Sequence, residues 1–190
     1  MILSCHQPNF FPWAAYFEKI KESDKFVILT QCQFEKNNYQ NRFNIGNKWY
    51  SLGVNNSLQP IKDKKYSSPF EDFDRIKRRL PQYKAILDSF DDCISESVMQ
   101  TNILIIKRIC LLLEIQTEIV IDFPTDKTST DRLVQICREN GADTYLCGES
   151  GGNYMNFDTF KHWGIKIKNF SNPPESKRPI LDVLSSYESF

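Results

Sequence analysis

The fold is decided by residues 1–34, MILSCHQPNFFPWAAYFEKIKESDKFVILTQCQF. This stretch begins with the apolar run 1–5, continues through the polar turn 6–9, and then repeats apolar residues at helical spacing. Pro12 suits the first turn of that helix, because the N–H that proline lacks has no helical partner there. Residues 25–34 then have the β-branched and aromatic content of a buried strand. A strand, a helix and a strand in this order predict a parallel βαβ unit.

The middle of the chain predicts a hairpin, a loop and two helices. Residues 39–54 alternate polar and apolar side chains around a Gly-Asn pair, a pattern that is typical of a hairpin. The lysine-rich stretch 55–69 predicts a solvated loop. Apolar residues at helical spacing predict two core helices, over 70–89 and 96–114.

The last third alternates strands and helices. Strands are expected at 117–123, 143–148 and 165–170, with helices at 129–140 and 158–163 between them. Such alternation predicts an α/β fold with a Rossmann-like, mostly parallel sheet, helices on both of its faces and a small hairpin insertion. The length predicts a single domain, 1–190.

Composition argues against several classes of protein. Lys plus Arg and Asp plus Glu both total 24, so no overall positive field attracts nucleic acid or an anionic membrane. The N-terminus lacks a signal-peptide pattern and no apolar stretch is long enough to span a bilayer, which favours a cytoplasmic protein without membrane insertion. The six cysteines form no C-x-x-C pair and only two histidines accompany them, so we expect buried, reduced thiols and no metal site.

The polar turn after the first strand is the first candidate site. Ligands of parallel sheets bind beyond the carboxyl ends of the strands, and the turns after Cys5 and Cys147 both lie there. The His6 imidazole can exchange a proton near neutral pH, while the amides of Gln7 and Asn9 can orient a substrate. The alternative is that His6 only bonds backbone groups within the turn.

A second candidate follows the second strand, where YQNRFN contains Gln40, Asn41 and Arg42. The planar Arg42 guanidinium suits a carboxylate or a diphosphate. Its structural alternative is an ion pair that stabilises the hairpin.

The third candidate is CGESGGNY, 147–154, where three glycines and Ser150 can bring backbone N–H groups close to an anion. It matches neither a Walker loop nor G-x-G-x-x-G, and a plain turn also explains its glycines. Cys147 could be a nucleophile activated by His6, or inert filling at the end of a buried strand.

Thr130 and Arg132, in the helix predicted over 129–140, are further candidates. The sequence STDRL opens the helix over 129–140, with Ser129 or Thr130 as its cap. Arg132 could reach an anionic ligand, but its position favours a surface role. We interpret His162 as structural.

Taken together, these motifs resemble the WbqC-like family. The matching segments are HQPNFFPWAAYFEKI, FVILTQCQFEKNNYQNRFNI, STDRLVQICRENGADTYLCGESGGNYMN and ILDVL. The resemblance implies site residues at His6, Gln7, Asn9, Gln33, Asn41, Arg42, Thr130, Gly148, Gly151 and Tyr154, with Pro8, Trp13 and Tyr16 shaping the pocket. It implies a bacterial setting among genes for O-antigen or capsule assembly, especially of modified amino sugars.

The chain departs from the family pattern in two places. Thr30 and Gln31 stand where relatives commonly end the second strand with an acidic residue, which removes a possible carboxylate partner for His6. Cys147 stands where relatives often have serine, and this exchange argues against a covalent mechanism through its thiol. Gly152 and Asn153 replace a Lys-Asp pair.

Three functions remain open from the sequence. The first is transfer of an acyl or aminoacyl group to an amino-sugar nucleotide, with His6 as the base and Arg42 and the Gly148 loop holding anionic oxygens. The second is nucleotidyl transfer, although Asn9 stands where such enzymes need a second histidine. The third is a non-catalytic module that binds a sugar nucleotide or holds other polysaccharide-biosynthesis enzymes together. No cofactor follows from the sequence.

Overall fold

The computed structural model describes residues 1–149, 151, 155–172 and 177–187. The strands are β1 (Ile2–His6), β2 (Lys25–Ile28), β3 (Arg42–Ile45), β4 (Lys48–Ser51), β5 (Glu118–Ile121), β6 (Thr144–Cys147) and β7 (Lys166–Asn169). The α-helices are α1 (Ala14–Lys21), α2 (Pro69–Arg79), α3 (Lys84–Asp88), α4 (Val98–Leu112), α5 (Ser129–Glu139), α6 (Phe157–His162) and α7 (Ile180–Leu184). Across these described ranges, no helix combines the length and the apolar character that crossing a membrane requires.

Five strands form one parallel sheet in the order β5-β2-β1-β6-β7. Counted along the chain among these five, that order is third, second, first, fourth and fifth. The chain therefore reverses direction across the sheet between β1 and β6, the neighbours at the centre. In open parallel sheets, this reversal leaves a crevice at the carboxyl ends of the two strands.

The sheet is covered by helices on both faces, as the sequence predicts. Phe26 and Ile28 of β2 pack into one apolar cluster with α1, α4 and α7, whereas Val27 between them packs into another with α5 and α6. Successive side chains of a strand point to opposite faces, so a continuous apolar strand serves both clusters. The predicted Rossmann-like arrangement is confirmed.

The predicted hairpin is also confirmed. Strands β3 and β4 pair antiparallel, and Gly46 and Asn47 connect them with φ of +52° and +69°. A two-residue turn with both residues in the left-handed region matches the twist of the strands it joins.

The structure corrects three predicted boundaries. The helix expected over 70–89 breaks at Leu80, because Pro81 disfavours a helical backbone in the residue before it. Helix α1 begins at Ala14, so Pro12 lies before its first turn. The strand expected over 25–34 ends at Ile28, where the chain turns toward the end of β5.

The prediction of a solvated loop over 55–69 holds only in part, because residues 55–58 are exposed whereas Ile61, Lys64 and Tyr66 are buried. Ile61 and Tyr66 are buried in the main apolar cluster, and Lys64 is only 2 % exposed. The Lys64 ammonium donates to the carbonyls of Asn55 and Ser57, at 2.7 and 2.6 Å. The segment packs because its few apolar residues have space in the core and its lysine is satisfied by backbone oxygens.

The predicted surface position of Arg132 is wrong as well. Its guanidinium is buried and lies 2.6 Å from the carboxylate of Asp122, whose side chain is fully buried after β5. The same carboxylate accepts hydrogen bonds from the backbone N–H and the hydroxyl of Thr30, each at 2.8 Å. Asp122, which follows the neighbouring strand β5, therefore supplies a carboxylate just after β2, where the chain has Thr30 and no acidic residue.

Candidate active site

A cavity of about 560 Å³ opens between the carboxyl ends of β1 and β6. Its lining includes His6, Gln7, Asn9, Trp13, Tyr16, Lys19, Tyr39, Gly148, Glu149, Phe170, Asn172 and Lys177. The turns that follow β1 and β6 therefore face each other across one cleft, as their strand-end positions lead us to expect. This volume lies within the range of cavities that hold small-molecule ligands, roughly 300–1,000 Å³.

A buried polar network holds the backbone of the turn after β1. The Tyr16 hydroxyl donates to the carbonyl of Gln7 at 3.1 Å. The Asn102 amide donates to the carbonyls of Pro8 and Gln40, at 2.9 and 2.7 Å. The Gln40 amide in turn donates to the side-chain oxygen of Gln7 at 2.6 Å. A fully bonded buried network of this kind fixes one geometry for the turn.

The same turn contains strained backbone at Phe11, whose φ is +46°. A non-glycine residue in the left-handed region costs roughly 1–3 kcal/mol, so the surroundings must compensate. The Phe11 ring is 2 % exposed and contacts Phe43, Phe73 and Phe90 with centroid distances of 5.4, 6.2 and 5.2 Å. Aromatic packing therefore anchors the turn that carries His6.

The His6 imidazole lies at the cleft surface and is exposed to solvent. Its Nδ1 lies 3.1 Å from the carbonyl oxygen of Gln7. Since a carbonyl only accepts, Nδ1 carries the proton and Nε2 remains an acceptor. The Tyr16 ring packs edge-on against the imidazole at 5.0 Å, which fixes its orientation.

The pKa of His6 is lowered from 6.5 to about 4. The cleft walls desolvate the cationic ring, and the ammonium of Lys19 repels it. Contact with water moderates the first cause, but both act in the same direction. The ring is therefore neutral at pH 7, as a proton acceptor must be.

The sequence patterns do not point to Lys19, a residue of α1 whose side chain also lines the cleft. The side chain is 7 % exposed, and Nζ donates to the carbonyl of Cys5 at 3.0 Å. Desolvation lowers the pKa of this ammonium. One signal could have revealed it: Lys19 interrupts the apolar stripe of the helix between Tyr16 and Ile20.

Aromatic side chains form much of the cleft wall, namely Trp13, Tyr16, Tyr39 and Phe170. Trp13 and Tyr39 pack edge to face at 6.1 Å across the mouth. Flat apolar rings of this kind offer stacking surfaces for a sugar or a base.

Two amides of the lining are available to a ligand. The Oδ1 atom of Asn172 is buried and accepts no hydrogen bond within the described part of the chain. The side chain of Asn9 also makes no hydrogen bond to a described residue. Because buried polar groups are nearly always paired, the Asn172 oxygen fits a ligand hydroxyl or amide donor.

Arg42 and Asn41 lie away from this lining. The Arg42 guanidinium stacks on the Trp49 ring with 4.0 Å to its centroid and donates to the carbonyl of Asn37. Asn41 is buried and donates to the carbonyl of Leu52 at 2.8 Å. The structure therefore gives both residues contacts within and around the hairpin.

Gln33 and Thr130 also lie outside the lining. The Gln33 amide donates to the carbonyl of Gln59 at 2.8 Å. Thr130 follows the first residue of α5 and does not cap it, since Thr128 is the N-cap residue. Its hydroxyl oxygen instead accepts the backbone N–H of Asn156 at 3.0 Å.

The turn after β6 is described only in part. Gly148 lines the cleft, and the N–H of Gly151 donates to its carbonyl at 2.9 Å. Ser150 and Tyr154, which the sequence also proposes as ligand-binding residues, lie outside the described residues.

Cys147 has the properties of an inert thiol. It is 1 % exposed, its Sγ donates to the carbonyl of Gly148 at 3.1 Å, and burial raises its pKa. A nucleophilic cysteine needs the thiolate form, which these surroundings disfavour. All six cysteines lie in the described ranges as free thiols.

We expect the His6 imidazole to titrate below its ordinary pKa of 6.5 in an NMR experiment, because desolvation and the Lys19 ammonium both disfavour the cationic ring. A lowered folded-state pKa means that the unfolded chain takes up this proton first, so stability falls as the pH drops from 6.5 toward 4. Urea unfolding measured across that window should show a smaller loss for His6→Gln than for the wild type. His162→Gln is the matched control, and a His6 titration at or above 6.5 would contradict the assignment.

Comparison with known proteins identifies the family of this chain. The model of the WbqC-like protein family matches residues 7–177. The chain is 24% identical over 182 residues to the uncharacterized protein Rv1507c of Mycobacterium tuberculosis, covering 85% of this chain and 78% of that protein. No solved structure gives a significant match. Because the family model extends over most of the chain, including both turns of the cleft, this protein belongs to the WbqC-like family.

Proposed function

We propose that this protein transfers an acyl or aminoacyl group to the amine of an amino-sugar nucleotide during bacterial surface-polysaccharide biosynthesis. The observation that carries the proposal is a neutral imidazole with a free Nε2 on the wall of a cleft at the sheet's reversal point. Family membership supports the polysaccharide setting. The aromatic walls and the unbonded amides support a ligand with rings and hydroxyl groups.

In the proposed reaction, the amine nitrogen attacks the acyl carbonyl carbon and a C–N bond forms. Nε2 of His6 takes the proton that the amine loses, the bond between the carbonyl carbon and its leaving group breaks, and the proton passes to that group. Asn9 has the free amide that can orient the substrate. Gln7 also lines the cleft, and its side-chain oxygen accepts a hydrogen bond from Gln40 that helps to position the turn.

The low pKa of free His6 makes it a weak base until the substrate binds. General bases work best when their pKa lies near the working pH. An anion bound beside the ring raises the pKa, because an opposite charge favours the protonated imidazole. The base therefore becomes stronger when an anionic substrate occupies the cleft.

We expect amino-sugar nucleotides to raise the melting temperature of the protein in a thermal-shift screen. A ligand that binds only the folded state at 100 times its Kd adds about 2.7 kcal/mol to the free energy of unfolding. The screen compares nucleotide-linked amino sugars with acyl-coenzyme A compounds, with ATP, and with the free sugars as controls. Stabilisation by ATP alone would favour nucleotidyl transfer, and binding of sugar nucleotides without turnover with any donor would favour a non-catalytic module.

A further inference from the structure

A buried ammonium lines the cleft and has no anionic partner among the described residues. Within the described part of the chain, Lys19 uses one of its three N–H groups, which donates to the carbonyl of Cys5. No carboxylate within residues 1–149, 151, 155–172 and 177–187 forms an ion pair with it. Glu149, the carboxylate of the described lining, is exposed and accepts the backbone N–H of Asn172 at 3.3 Å.

The backbone of the turn after β6 passes close to this ammonium. A Cβ atom placed on Gly148 would lie 3.9 Å from Nζ of Lys19, its nearest contact among the described residues beyond its two chain neighbours. The glycine therefore leaves open the space in front of the ammonium, and a larger side chain would grow into that space. A second lysine, Lys177, lies on the exposed rim of the same cleft.

The free-energy cost of burying the Lys19 ammonium indicates that this charge binds a ligand. An ammonium buried without a counter-ion opposes folding, because desolvation of the charge is only partly offset by one carbonyl. A neutral side chain would fill the same space at lower cost. The position of Lys19 is therefore explained by an anion that enters the cleft and completes the pair.

We propose that Lys19 and Gly148 form an anion-binding subsite that takes a phosphate or diphosphate group in the cleft. The proposal rests on the proposed function for its ligand class and assigns the phosphate end of the sugar nucleotide to this place. In this proposal Lys19 takes the anion-binding role expected of Arg42, whose guanidinium stacks on Trp49 of the hairpin. The subsite also places the anion where its charge reaches His6, whose protonation Lys19 opposes.

The test measures binding of inorganic pyrophosphate, UDP and uridine by calorimetry. Wild-type protein should bind pyrophosphate and UDP but not uridine, and Lys19→Met should weaken both by about 10- to 100-fold, since a hydrogen bond to a charged group contributes that much. Lys21→Met, at an exposed lysine of the same helix, is the matched control and should bind like wild type. Binding of UDP without pyrophosphate would place recognition on the nucleoside and would overturn the subsite.

Stability provides an independent readout. We expect Lys19→Met to raise the melting temperature, because it removes a buried charge, whereas a lysine that only ties α1 to β1 would lower it when replaced. Gly148→Leu keeps Lys19 and fills the space in front of it, so this variant should lose anion binding even if Lys19→Met misfolds. Wild-type protein that ignores pyrophosphate, or a Lys19→Met variant that binds it normally, overturns the proposal.

The two proposals fail in different ways. Anion binding that depends on Lys19, in a protein that transfers no acyl or aminoacyl group, would leave the subsite and remove the reaction. Turnover of a sugar nucleotide that survives in Lys19→Met with unchanged KM would remove the subsite and leave the reaction.

Discussion

His6→Ala should reduce turnover of the amino-sugar nucleotide by about 10²- to 10⁴-fold, the contribution typical of a general base. The imidazole is exposed and, within the described part of the chain, its hydrogen bond is to the neighbouring carbonyl of Gln7, so its loss leaves the sheet and the polar network intact. The affinity for the sugar nucleotide should change little, because the proposed anion subsite and the aromatic walls are formed by other residues of the cleft. The measurement is kcat and KM with the acyl donor and acceptor that the thermal-shift screen identifies.

The control separates a base from a structural histidine. His162→Ala, at an exposed histidine of α6, should keep wild-type turnover. The rate of wild type should fall at acid pH as Nε2 becomes protonated, and His6→Gln should lose that dependence together with its activity. Turnover of His6→Ala within a few-fold of wild type would remove the base assignment while leaving the fold and the anion subsite untouched.

Asp122→Ala should lower the free energy of unfolding by about 3–5 kcal/mol, the range for a buried ion pair that loses one partner. The substitution leaves the buried guanidinium of Arg132 without its carboxylate. It also removes the acceptor of the Thr30 backbone N–H and hydroxyl. Urea unfolding gives the measurement, and an unchanged m-value would show that the comparison is valid.

Two further variants test the physical reason. Asp122→Leu combined with Arg132→Met should recover much of the lost stability, because an apolar pair of similar volume avoids both desolvated charges. Asp88→Ala removes a surface carboxylate that pairs with Lys84 and Lys77, and it should change stability much less than Asp122→Ala does. A similar effect at Asp122 and Asp88 would mean that the buried pair contributes no more than a surface one.

Much of the cleft's location could be predicted before its geometry was known. The apolar run before His6 and the one before Gly148 both indicate strands, and parallel strands bring their carboxyl ends to one edge. The prediction succeeds because each step depends on residues close together in the chain. The role of Arg42 as an anion ligand was a weaker inference, since nothing local shows that its guanidinium would stack on Trp49.

Local sequence patterns gave wrong predictions of exposure where burial depends on segments that are distant in the chain. Arginine and lysine usually lie at the surface. Arg132 instead pairs with a buried carboxylate, and Lys64 is buried where its ammonium donates to two carbonyls of its own loop. Lys19 was overlooked because a lysine within an amphipathic helix ordinarily lies at its solvated side. Its burial follows from the way the helix packs beneath the first turn of the cleft.

By itself, the sequence determined the α/β class, the hairpin, the strand-end turn that carries His6 and the family, because periodicity and turn chemistry are properties of neighbouring residues. The tertiary structure alone decided the strand order, the partners of Asp122 and Asn102, and the meeting of Lys19 with the Gly148 turn. Those features join residues far apart in the chain, such as Asn102 and Pro8. The burial and pairing of these side chains affect the free energy of folding only once the sheet and its two helical layers are assembled.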